Sequence, residues 1–157
     1  MPEASPAGQR HGSLLRGKDK KTIEEETKKV IELLIEQYEY APDLTFDIRG
    51  SRKVYAYKTC PLDMQIHAER GIYFGKIESD GIRLTIEGAF LVGPKAERNV
   101  IELDREKMLK WMKGEDVPVD FEGNAWVILK HNMYYLGGGK ASGGVVRNYV
   151  PKDRRIR

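Results

Sequence analysis

The sequence predicts an α+β fold, a small mixed β-barrel with a helix packed on it. Three observations lead there. The length, 157 residues, suits one domain or one domain with a small appendage, and buries roughly two-thirds of the unfolded chain's surface. One strongly amphipathic helical stretch lies near the N-terminus. After it, apolar residues recur at a period of two, in short runs broken by Gly, Asn and Asp.

Residues 1–20 are rich in Pro, Gly, Ser and charge, have no apolar period, and read as a flexible basic arm. Thr22 and Glu25 have the spacing of a capping box. The run that follows puts Ile23, Thr27, Val30, Ile31, Leu34 and Tyr38 on one face, and Pro42 stops it. LTFDIR and KVYAYK then alternate as strands about a turn at Gly50-Ser51. Residues 59–70 carry no clear period, and a unit boundary is expected near Gly71. GIYFGKI and GIRLTIE read as strands joined by Ser79-Asp80-Gly81, while GAFLVG fits either a strand or a buried helix. NVIEL reads as a strand. Asp104 caps a helix through Met108, Leu109, Trp111 and Met112, and Gly114 ends it. NAWVILKH and YYL form a hairpin across Asn132-Met133, and GVVRNYV is the last strand, closed by Pro151.

Composition narrows the function classes. No apolar stretch is long enough for a membrane span, and the N-terminus has no signal-peptide core. A single cysteine, Cys60, excludes an intrachain disulfide and suits a cytoplasmic setting. The net charge of +3 hides a segregation. Residues 130–157 hold seven basic side chains (Lys130, Lys140, Arg147, Lys152, Arg154, Arg155, Arg157) against Asp153 alone. Residues 1–21 hold five basic and two acidic residues, so the body between carries 15 basic and 21 acidic. Basic ends on an acidic body describe an oriented field of the kind that meets a polyanion.

Catalytic constellations are missing. Cys60 could act as a nucleophile given a nearby base, but no second cysteine or local base accompanies it, and a small apolar filler is the plainer reading. His11, His67 and His131 lie far apart without a second ligand at metal spacing, so neither metal nor cofactor is expected. The cluster Gly137-Gly138-Gly139-Lys140 fails as a P-loop, because Ala141 stands where the magnesium-binding hydroxyl belongs. It fails as a dinucleotide loop because Ser142 replaces the third glycine. A phosphate cradle needs only open amides and cations nearby. A bulge or bend that closes the barrel fits the same glycines. Tyr134, Tyr135 and Tyr149 offer either faces for bases or barrel core.

The closing segment GNAWVILKHNMYYLGGGKASGGVVRNYVPKDRRIR resembles the C-terminal RNA-binding module of Sun-family RNA cytosine methyltransferases, a PUA-like domain. The matching residues are Leu136, Gly137, Gly139, Lys140, Gly143, Gly144, Arg147, Asn148, Tyr149, Pro151, Lys152 and Arg154. The order of GIYFGKI, NVIEL, the helix ending WMKGED and the closing strands extends the likeness over 71–157, with a helix and strands at 21–70 as a pre-PUA α/β portion. Gly138 stands where the family has tryptophan, and the family's methyltransferase domain has no counterpart in these residues.

The resemblance implies a stand-alone, monomeric, non-catalytic module that binds structured RNA, rRNA or tRNA, in RNA modification or ribosome biogenesis. Its contacts would be Gly137, Gly138, Gly139, Lys140, Arg147, Asn148, Tyr149, Lys152, Arg154 and Arg155, with Lys76 and Arg70 at the opposite edge of the sheet. The alternative is a protein-interaction subunit that recruits a separate RNA-modifying enzyme through the acidic 22–70 portion. An exposed stripe on the first helix would favour it, and complete burial would count against it. An enzyme using Cys60 is a third reading.

Overall fold

A computed structural model of the chain describes residues 18–58 and 71–157. Cys60, His11, His67 and Arg70, with most of the N-terminal arm, lie outside the described residues.

Helix α1 spans Lys20–Tyr38. It starts earlier than the Thr22–Glu25 spacing predicts, because the Asp19 carboxylate accepts the Thr22 amide at 2.8 Å. It ends at Glu39, whose left-handed backbone (φ 59°) returns its amide to the Ile35 carbonyl. Val30, Leu34 and Tyr38 are wholly buried, each worth about 1.5–3 kcal/mol of burial. Ile23, Thr27 and Ile31 of the predicted stripe are only partly buried.

Four antiparallel strands follow in sheet order: β1 (Thr45–Arg49), β2 (Lys53–Tyr57), β3 (Ile72–Glu78) and β4 (Gly81–Leu84). Helix α1 bridges the two open edges of this curled sheet. At β1, the Thr27 hydroxyl exchanges hydrogen bonds with both backbone groups of Phe46, and Glu26 accepts the Ile48 amide. At β4, the Gln37 amide does the same with Ile82 and also reaches the Trp126 carbonyl at 3.3 Å. Side chains of one helix thus satisfy backbone groups at both edges. The boundary expected near Gly71 falls between β2 and β3, which are hydrogen-bonded neighbours of one sheet.

GIRLTIE is shorter as a strand than its alternation predicts. The Thr85 hydroxyl accepts the Gly88 amide at 3.0 Å and caps helix α2, Ile86–Val92, so GAFLVG is helical. Beyond it come β5 (Val100–Glu102), α3 (Arg105–Met112), β6 (Val117–Pro118), β7 (Ala125–His131), β8 (Tyr134–Ser142) and β9 (Val145–Asn148). The second sheet has the order β5-β7-β8-β9-β6, with β5 parallel to β7 and the other pairs antiparallel. Its core gathers Leu103, Trp111, Val117, Val127, Leu129, Leu136 and Val146, apart from the cluster beneath α1. The three helices, the hairpin at Asn132-Met133 and the mixed barrel agree with the α+β reading. No helix among the described residues is long and apolar enough to cross a membrane.

Candidate nucleic-acid interface

The glycine cluster is not an open loop. Gly137, Gly138 and Gly139 are buried within β8, which is hydrogen-bonded to β7 on one side and β9 on the other. Gly139 pairs in both ladders, so its amide is not the free donor of the expected cradle, whereas Gly137, at φ 101°, lies where the β7–β8 register is irregular. Close approach explains the glycines. A Cβ on Gly138 would lie 2.8 Å from the Leu84 carbonyl oxygen, and one on Gly139 2.7 Å from the Trp111 ring. The first sheet and helix α3 both press against this bare stretch of strand.

What β8 does present is a row across the second sheet. Register sets Trp126 of β7 opposite Lys140 of β8, and Lys140 opposite Arg147 of β9, so the three share one face. The Lys140 ammonium sits 5.2 Å from the Trp126 ring and forms an ion pair with Asp80 from the β3–β4 turn. Asp80 also accepts the Trp126 indole N–H at 2.7 Å. The Lys140 hydrogen bond first, and the indole second, hold the Asp80 carboxyl below its ordinary range. Arg147 is exposed and has no ion-pair partner among the described residues.

Tyr149 extends this face toward the first sheet. Its ring lies 5.4 Å from Trp126, and the Arg83 guanidinium stacks over it at 4.5 Å. A cleft of about 190 Å³ opens here, lined by Tyr73, Arg83, Glu87, Gly138, Tyr149 and Arg154 among others. Arg154 pairs with Glu87 at 3.1 Å with both side chains nearly half exposed; such a pair is worth about 1 kcal/mol at most, and a phosphate competes for it readily. Lys152 is exposed on the short helical turn Lys152–Arg154.

Two predicted contacts also hold structural partners. The Asn148 side chain donates to the carbonyls of Trp111 (2.8 Å) and Glu115 (2.9 Å) and accepts the Val150 amide, which uses both of its donors. Arg155 donates to the Val150 carbonyl at 3.0 Å and packs over Gly114. Lys76 belongs to the first sheet, and Arg70 lies outside the described residues. Arg83, Trp126 and Asp80 escaped the sequence reading. Alternation within GIRL does mark Arg83 as the cation between two buried residues, Ile82 and Leu84.

With this geometry in view, residues 98–156 match the family model described as the methyltransferase RsmF PUA domain. This part of the chain is similar to that family. The matched segment covers the whole second sheet and α3. The chain is 36% identical over 84 residues to the ribosomal RNA small subunit methyltransferase F of Aeromonas salmonicida, covering 53% of this chain and 18% of that protein. The protein of the same name from Aliivibrio fischeri is 27% identical over 139 residues, 87% of this chain and 28% of its own length. The chain therefore spans less than a third of the curated relatives it matches, and the match lies beyond their methyltransferase domain.

Proposed function

We propose that these residues bind structured RNA of the small ribosomal subunit, without catalysis of their own, as the RNA-holding part of a cytoplasmic rRNA-modification system. The observation that carries this reading is Arg147: in a segment matched to an RsmF-type PUA domain, it stands exposed and uncompensated among the described residues beside the Lys140–Trp126 pair. Lys152 extends the field, and Arg154 is released to phosphate from a weak surface pair. Contacts of this type supply affinity and register, while the structure of the RNA supplies the selection.

Ultraviolet crosslinking in cells, followed by sequencing of the attached RNA, tests this. Small-subunit rRNA should be enriched over its abundance. Enrichment of tRNA instead would overturn the choice of ligand, and no enrichment of any RNA would overturn the reading itself.

A further inference from the structure

The outer face of the first sheet, outside the matched segment, carries a feature that a fold alone does not favour. Register sets Lys53 of β2 opposite Lys76 of β3, and Lys76 opposite Arg83 of β4. Two successive like-charge pairs cross the sheet, each disfavoured by cross-strand repulsion. Neither lysine has a carboxylate partner among the described residues. Glu78 is the exception within the row, pairing with Arg83 at 3.0 Å, and the guanidinium keeps further donors free.

Aromatic rings lie beneath two of these cations, Lys53 and Arg83. Tyr55 and Tyr73 lie opposite one another with centroids 5.5 Å apart, and the Lys53 ammonium stands 5.6 Å from the Tyr73 ring. Arg49 closes the far end over Tyr55 at 4.1 Å, but its charge is already engaged by the buried Asp47 at 2.6 Å. At the near end, Arg83 stacks on Tyr149, which leads through Trp126 to Lys140 and Arg147. The two sheets thus share one cationic track, with aromatic rings under it.

We infer that this face is a second contact for RNA, gripping the phosphates of one strand that continues from the C-terminal site; the inference rests on the RNA-binding reading above. Three cations across two strand spacings cover about 10 Å at ~4.8 Å each. A polyanion laid there relieves both repulsive pairs at once.

The test uses the full chain and a fluorescein-labelled RNA hairpin with a single-stranded 3′ extension, titrated across salt concentrations. Lys53→Gln with Lys76→Gln should weaken binding and make the slope of log K against log salt shallower by about 1.4, two single-strand contacts at ~0.7 each. The same pair should melt no lower than the parent, since it removes a repulsion. Lys53→Glu with Lys76→Glu should weaken binding further. An unchanged affinity and slope in a folded Gln pair overturns the second contact. If Arg147→Glu with Lys152→Glu weakens binding in that same experiment, the C-terminal reading survives the loss. If the parent chain holds no RNA, both fall together.

Discussion

Replacing Trp111 with alanine should cost the second sheet most of its stability. The side chain is wholly buried, and its indole N–H donates to the Leu136 carbonyl at 2.9 Å. Emptying a site of this size costs about 3–5 kcal/mol, and the orphaned carbonyl adds about 1–3 kcal/mol. Against a typical domain stability of about 5–15 kcal/mol, little remains. The ring also lies directly on Gly139, so a cavity there loosens helix α3 from the middle of β8. Urea unfolding followed by circular dichroism measures the loss. Trp111→Phe, which keeps most of the volume and loses only the donor, should recover the larger share. A shift below about 1 kcal/mol for the alanine variant would contradict this packing.

The second large effect is expected at Gly138. The resembling family has tryptophan at this position, yet here the strand runs against the backbone of Leu84. A Cβ would sit 2.8 Å from the Leu84 oxygen and 3.0 Å from its nitrogen. Backbone cannot swing aside as a side-chain tip does. Gly138→Ala should therefore cost about 1–3 kcal/mol by overpacking, and Gly138→Trp more, because it must part β8 from β4. Thermal melting checks the order parent, Ala, Trp. A Gly138→Trp protein as stable as the parent would mean that the two sheets do not meet here as described.

Local chemistry made much of the fold legible. The face of α1, the hairpin at Asn132-Met133, the Asp104 cap and the stop at Gly114, with φ 97°, all follow from residues within a turn of each other. The glycine cluster misled because three glycines before a lysine have the composition of a loop. The reason they are a strand lies in Leu84 and Trp111, distant in sequence. Thr85 shows the same limit at shorter range: alternation continues through it, but its hydroxyl also satisfies the Tyr73 carbonyl on β3 while it caps α2.

The site divides along similar lines. Arg147 and Lys152 were legible from charge, because nothing distant alters their exposure. Lys140 and Arg154 carry the same charge, but Asp80 and Glu87 reach them from other elements, and no local pattern announces that pairing. Asn148 and Arg155 sit within the same basic run, yet Asn148 gives both of its donors, and Arg155 its Nε–H, to backbone carbonyls. A charge-reversal test is therefore better placed at Arg147 and Lys152 than at Lys140, where a new carboxylate would face Asp80 and disturb the fold.

Salt-dependent RNA binding of the parent chain beside Arg147→Glu with Lys152→Glu measures the central claim most directly. The parent should show a slope of log K against log salt of about −3 to −4, and the variant a much weaker affinity with a slope shallower by about 1.4 at an unchanged melting temperature. A flat salt response in the parent, or a folded variant that binds RNA as the parent does, would contradict it.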